Sequence, residues 1–89
     1  MTEMFQQNTD VETAALQEEA ILFNPKLNKF CMLNRTSSFI WARLKTPCTL
    51  EQVAQDVTAT FTDVSAEQAI EDTRKILKEF VSLGVVRCD

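Results

Sequence analysis

The chain has 89 residues, of which 45% are hydrophobic and only one is glycine, and it carries a net charge of −4 with no histidine. This length fits one small domain with a modest core, and the hydrophobic fraction excludes a disordered chain. The acidic balance argues against nucleic-acid binding, which needs a basic surface to displace phosphate counterions. We therefore expect a single domain over residues 1–89, with residues 1–9 flexible, that binds no nucleic acid.

The side chains that most enzymes use are missing or isolated. With neither histidine nor tyrosine in the chain, no serine or cysteine has the general base that a nucleophile–base pair requires. Cys31, Cys48 and Cys88 are scattered without a C-x-x-C pair, so no metal site is expected. The sequence contains neither a secretory signal nor an apolar run of about 20 residues, which predicts a cytoplasmic protein without a membrane span. We expect a protein that is not an enzyme and has no cofactor.

The first half of the chain predicts three short strands. A weak apolar pattern covers residues 11–16, and a clearer one, Ala-Ile-Leu-Phe, covers residues 20–23. Residues 24–28 contain Asn and Pro, which favour a turn, so residues 30–33 are predicted to return as the second strand of a hairpin. Together these segments predict a three-stranded antiparallel sheet.

Two helices are predicted directly after the strands. The first begins at Asn34 or Thr36, whose side-chain oxygen caps the helix, and it ends before Pro47. The second follows Thr49, and Gln52 stands three residues later, which is the spacing of a capping box. The apolar residues of this second helix recur with helical periodicity, which predicts a helix with one apolar face.

The third predicted helix has the widest apolar stripe. Ser65 is its N-cap, with Gln68 three residues on, and Gly84 stands where a C-cap glycine belongs. The stripe exceeds what a surface helix normally buries, so we expect this helix to contact the core and a second surface. Three strands followed by three helices predict an α+β domain. The residues of the stripe are Ala69, Ile70, Thr73, Ile76, Leu77, Phe80, Val81 and Leu83.

An edge strand beside a helix can bind an extended peptide, because its unpaired N–H and C=O groups accept another strand. The strand at residues 29–33 is the candidate edge, and the third helix would line the groove with apolar side chains and cations. The alternative is that the apolar residues of both elements only build the core. The candidate peptide-binding residues are Lys29, Phe30, Cys31, Met32, Leu33, Arg74, Lys75, Leu77, Lys78 and Val81.

Four motifs in this order resemble the PqqD-like family, over residues 19–87. They are FCMLN at residues 30–34 followed by Thr36, IW at residues 40–41, TLEQVA at residues 49–54, and LGVV at residues 83–86. The resemblance implies a winged helix-turn-helix-like fold, in which a three-stranded antiparallel sheet precedes three helices. The Pro-Glu-Gly turn of members from the quinone-cofactor pathway is replaced here by residues 24–28, so lasso-peptide and radical-SAM peptide clusters are equally compatible.

The resemblance also implies a function, that of a recognition element for ribosomally made and post-translationally modified peptides. Such a domain binds the leader segment of the precursor peptide as an added strand, between the third strand and the third helix. It then presents the leader to a modifying enzyme such as a radical-SAM enzyme, a leader peptidase or a cyclase. The cations of the third helix are expected to meet acidic leader residues, which would make binding sensitive to salt.

Two other functions stay open. A DNA-binding winged-helix regulator needs a basic recognition helix, whereas residues 50–60 carry Glu51 and Asp56 and no base. A structural or dimerising subunit of a larger enzyme would use the wide stripe of the third helix as its interface. The peptide binder itself is expected to be a monomer or a weak homodimer, because an unoccupied strand edge invites pairing.

Overall fold

The computed structural model of the chain describes residues 3–17 and 19–89. A three-stranded antiparallel sheet precedes three helices, which confirms the predicted α+β architecture. Two further short strands, one at each end of the chain, form a separate sheet. In chain order the elements are β1 (Phe5–Gln7), β2 (Glu12–Leu16), β3 (Glu19–Asn24), β4 (Lys29–Leu33), α1 (Arg35–Arg43), α2 (Leu50–Thr60), α3 (Ala66–Ser82) and β5 (Val86–Cys88).

The main sheet has the order β2-β3-β4, and its two faces differ in burial. Leu22 pairs with Cys31 and Ala20 pairs with Leu33, and all four side chains are buried. Since successive side chains of a strand point to opposite faces, these pairs form the face that packs on the helices. The alternate residues of β3 and β4 form the outer face.

The core lies between this inner face and the three helices. Trp41 of α1 packs edge-on against Phe80 of α3, with ring centroids 5.9 Å apart. Both side chains are buried in one cluster with residues from the sheet and from α2. An Arg43–Asp56 ion pair joins α1 to α2 at the surface, with 2.8 Å from Arg43 Nε to the carboxylate. Most of the apolar residues predicted for the helices therefore face a common core, whereas Ile70 and Val81 of the α3 stripe are exposed.

Local hydrogen bonds fix where the first two helices begin. Asn34 is the N-cap of α1: its Oδ1 accepts from the Ser37 N–H at 2.9 Å, and Ser37 Oγ accepts from the Asn34 N–H at 2.9 Å. Thr49 and Gln52 form the predicted capping box of α2 in the same reciprocal manner, at 3.1 and 2.9 Å. These boxes satisfy N–H groups that a helix start otherwise leaves unpaired.

The start of α3 keeps only half of its predicted box. Ser65 Oγ accepts from the Gln68 N–H at 3.1 Å, as expected for an N-cap. The Gln68 side chain instead donates to Asp72 Oδ1 at 2.8 Å, one turn further along the helix. Gly84 follows the helix with φ of +73°, the left-handed conformation typical of a C-cap glycine.

Strands β1 and β5 were not predicted as a sheet. They pair antiparallel, and Phe5 also exchanges two backbone hydrogen bonds with Cys48, at 2.8 and 3.0 Å. Residues 1–9 were expected to be flexible, and no strand was predicted after Gly84, so both strands correct the sequence-based expectation. Each strand has three residues and relies on a partner at the other end of the chain, so local patterns do not reveal it. In the described part of the chain, no helix is long and apolar enough to cross a membrane.

Candidate functional site

Strand β4 is an edge of the main sheet. It pairs with β3 on one side, and within residues 3–17 and 19–89 no strand pairs with its other side. In an antiparallel ladder, every second residue of an edge strand directs its N–H and C=O groups away from its neighbour. These groups of β4 are therefore available to an added strand.

The side chains of β4 alternate sharply between exposure and burial. Phe30 is 67% exposed and Met32 is 74% exposed, whereas Cys31 and Leu33 lie in the core. Phe30 contacts Phe23 of β3 with ring centroids 4.5 Å apart, and Ile21, the partner of Met32, is half-buried beside it. The outer face of the sheet thus carries a patch of four apolar side chains next to the open edge.

The hairpin that leads into β4 is tied to the end of α3 through Asn24. Its Nδ2 donates to the carbonyls of Leu83 and Gly84 at 3.2 and 3.1 Å. Its Oδ1 accepts from the N–H groups of Lys26 and Leu27 at 3.0 and 3.4 Å, which shapes the turn. The buried Asn24 side chain therefore stabilises the turn and also connects the start of β4 to the end of α3.

The environment of the Cys31 thiol links the middle of β4 to Glu79 of α3. Burial raises the pKa of the Cys31 thiol, and the nearby carboxylate of Glu79 raises that pKa further. Glu79 itself is exposed. Asn24 brings the β3–β4 hairpin to the carbonyls of Leu83 and Gly84, so we infer that Glu79, one turn before this end of α3, lies towards the start of β4.

The helical repeat shows which other residues of α3 share a face with Glu79. Residues three, four and seven apart share one face of a helix, so Asp72, Ile76 and Glu79 lie on the same side. Ile76 and Asp72 are half-buried, as expected for side chains at the border of the core. We call these three residues the β4-side flank. Its ionisable side chains are both acidic, and Lys75, three residues after Asp72 and four before Glu79, lies next to them on the more exposed side of the helix.

Four of the predicted helix residues lie on the opposite flank of α3. Leu77 is 1% exposed and belongs to the core, while Val81 is 40% exposed. Together with Arg74 and Lys78 they border a cleft of about 380 Å³, on the side of β1 and β5. The fifth, Lys75, is exposed and lies opposite the buried stripe. The remaining residues that line the cleft are Glu3, Phe5, Leu50 and Cys88.

The predicted site residues therefore fall into two groups. The five strand residues form one continuous edge, in which Cys31 and Leu33 can offer only backbone groups because their side chains are buried. The helix residues, apart from Lys75, border a separate cleft. Sequence reasoning did not select Asp72, Ile76 or Glu79 for the site. Their i, i+4, i+7 spacing was visible, but periodicity alone does not say which flank meets the sheet.

No side-chain cluster suited to a metal ion occurs in the described part of the chain. The exposed thiol of Cys88 donates a hydrogen bond to Glu3 Oε2 at 2.8 Å, and this bond is the main reason why the Cys88 pKa is raised to about 11. A thiol with such a pKa stays protonated near neutral pH, and thiolate is the reactive form.

Comparison with known proteins gives a family and a fold. The family model described as Coenzyme PQQ synthesis protein D (PqqD) matches residues 19–86. The chain is similar to the solved structure "TbiB1 in Complex with the TbiA(beta) Leader Peptide", with a TM-score of 0.81, 18% identity, and coverage of 92% of this chain and 94% of that one. It is also similar to "Lasso peptide synthetase B1 complexed with the leader peptide", with a TM-score of 0.78, 20% identity, and coverage of 93% and 96%. At these identities the two structures establish the fold. No curated protein sequence matches the chain.

Proposed function

Because the chain belongs to the family of coenzyme PQQ synthesis protein D (PqqD), we propose that it binds the leader segment of a ribosomally made precursor peptide without catalysing a reaction itself. Both similar solved structures hold a leader peptide, according to their names. In this proposal the domain presents the bound leader to an enzyme that modifies or cleaves the precursor, such as a radical-SAM enzyme, a leader peptidase or a cyclase.

The observation that carries this proposal is the open edge of β4 beside α3. An extended leader can pair with the free N–H and C=O groups of Lys29–Leu33 and continue the sheet by one strand. Main-chain hydrogen bonds would supply sequence-independent affinity, and side chains on both faces of the new strand would supply specificity. The β4-side flank of α3 would form the other side of the groove. The cations of α3 selected from the sequence stay a prediction.

The first test is a titration of the protein with synthetic leader peptides encoded by short open reading frames beside its gene. Calorimetry and the fluorescence of Trp41, the single tryptophan, report binding independently. We expect one leader to bind with a dissociation constant of roughly micromolar size, as is common for peptide recognition, and duplex DNA not to bind. Binding of DNA but of no leader would favour the winged-helix regulator instead.

Amide hydrogen exchange tests strand addition separately from binding. In the free protein, the outward N–H groups of β4 should exchange quickly because no strand protects them. On addition of the leader, the amides of alternate residues of Lys29–Leu33 should become protected together. A leader that binds while these amides continue to exchange quickly would lie elsewhere on the domain. Size-exclusion mass with and without leader would show whether a weak homodimer uses the same edge.

A further inference from the structure

We propose that the segment bound at β4 carries a basic side chain between two apolar ones, with the basic side chain directed at Glu79 and Asp72 and the apolar ones beside Phe30 and Met32. This inference rests on the proposed function, and it adds the chemistry by which the groove selects its peptide. It also reverses the expectation from the sequence, in which cations of α3 meet an acidic leader.

The alternation of a strand divides the peptide into two sets of side chains. In an added strand, residues opposite Phe30 and Met32 point to the outer face, because cross-strand partners share a face. The residue between them, opposite Cys31, points to the helix side. One three-residue stretch of peptide therefore meets the outer apolar patch twice and the β4-side flank once.

The outer face favours apolar partners. Phe30 and Met32 are the most exposed large hydrophobic side chains of the described chain, at 67% and 74%. Ile21 and Phe23 continue the patch onto β3 and are only half-buried. Apolar side chains in an added strand would cover Phe30 and Met32 at the edge of this patch, whereas charged ones would be desolvated there without a partner.

The helix side favours a cation. Asn24 joins the hairpin before β4 to the carbonyls of Leu83 and Gly84, and Glu79 stands one turn before this end of α3. Asp72 follows on the same flank, two turns towards the start of the helix. Within the described residues neither carboxylate forms an ion pair, although Lys75 stands three residues from Asp72 and four from Glu79 on the same helix. A bound strand would cover this flank and remove water from it, so a lysine or arginine of the peptide would pair with Glu79, while Asp72 adds to the negative potential there.

Charge reversal on α3 tests the inference with the leader that binds best in the titration above. Glu79→Lys should weaken its binding by about tenfold or more, the size expected when one partner of a desolvated charge pair is removed. Glu71→Lys is the matched control, because Glu71 is an exposed acid of the same helix that lies outside the β4-side flank. Its effect should stay within about twofold. Circular dichroism of each variant confirms that the fold is retained.

A compensating change in the peptide makes the test specific. Replacing the basic residue of the apolar–basic–apolar stretch with glutamate should weaken binding to the unmodified protein and restore binding to the Glu79→Lys variant. Equal binding of the leader to the unmodified and Glu79→Lys proteins would overturn the inference while leaving the proposed function intact. A loss of binding in Lys78→Glu without a loss in Glu79→Lys would do the same and would favour the cleft on the other flank. Absence of any leader binding to the unmodified protein would instead contradict the proposed function.

Discussion

Replacing Asn24 with alanine should reduce the free energy of unfolding by about 2 to 3 kcal/mol. Asn24 is 5% exposed, and its amide group makes four hydrogen bonds, two to carbonyls at the end of α3 and two from N–H groups of the hairpin turn. A hydrogen bond contributes about 1 kcal/mol net, and a buried group left without a partner costs about 1 to 3 kcal/mol. The carbonyl of Gly84 keeps a second partner, Asn8 Nδ2 at 2.7 Å. The Leu83 carbonyl loses its Asn24 partner, and the turn amides are free to bind water.

This loss is large for so small a domain. Natural domains unfold with about 5 to 15 kcal/mol, and small ones lie near the lower limit. A change of 1 kcal/mol shifts the melting temperature of a domain of this size by about 4 to 8 °C. Asn24→Ala should therefore melt about 10 to 20 °C below the unmodified protein. Urea unfolding, followed by circular dichroism and by Trp41 fluorescence, measures the free energy directly.

Two further variants show which of these hydrogen bonds account for the loss of stability. Asn8→Ala removes one hydrogen bond to the same Gly84 carbonyl, so it should cost about 1 kcal/mol or less. Asn24→Asp keeps the acceptor of the turn but replaces the donor to the helix carbonyls with a negative charge, so it should be at least as destabilising as Asn24→Ala. If Asn24→Ala costs no more than Asn8→Ala, the hairpin is not held to α3 in the way described.

Three further outcomes follow from single side chains. Gly84→Ala should destabilise by about 2 kcal/mol or more, because φ is +73° and the new Cβ would stand 2.6 Å from Asn24 Nδ2; an unchanged urea midpoint would contradict this. Thr73→Val should raise the melting temperature by several degrees, since the buried Thr73 hydroxyl has no hydrogen-bond partner in the described structure and its loss gains about 1 kcal/mol; a lower melting temperature would mean that the hydroxyl is satisfied. Iodoacetamide labelling of Cys88, followed by mass spectrometry, should keep rising up to about pH 11, and Glu3→Gln should move this profile to lower pH because it replaces the charged acceptor of the thiol hydrogen bond with a weaker, neutral one. A profile that Glu3→Gln leaves unchanged would exclude this hydrogen bond as the cause.

Local chemistry made most of the fold predictable. Asn34, Thr49 and Ser65 each cap a helix at the predicted place, because a side-chain oxygen satisfies an N–H group only two or three residues away. The turn at residues 24–28 was predictable for the same reason, since Asn24 accepts from the amides that follow it. Such contacts depend on a few consecutive residues, which the sequence displays directly.

Contacts between distant parts of the chain were not predictable in this way. Strand β1 contains Phe5 and two glutamines, a composition without the alternation that marks a strand, and its partner β5 lies at the other end of the chain. The burial of Cys31 beside the exposure of Phe30 and Met32 is a similar case. A strand pattern predicts alternation, but the register against the helices decides which set is buried.

The orientation of α3 beside the candidate groove could not be predicted from the local sequence either. The wide stripe of α3 predicts a second contact surface, which stays a prediction, and it leaves the orientation of the helix about its axis undetermined. Asn24 fixes that orientation when it ties the β3–β4 hairpin to the carbonyls of Leu83 and Gly84. With this anchor, Glu79 and Asp72 would face the open edge of β4 in the proposed groove, while Arg74 and Lys78 border the cleft near β5. The orientation of α3 about its axis therefore decides whether acidic or basic side chains face β4, and with it the charge expected of the bound peptide. A charge-swap experiment at Glu79 tests this orientation together with the identity of the ligand.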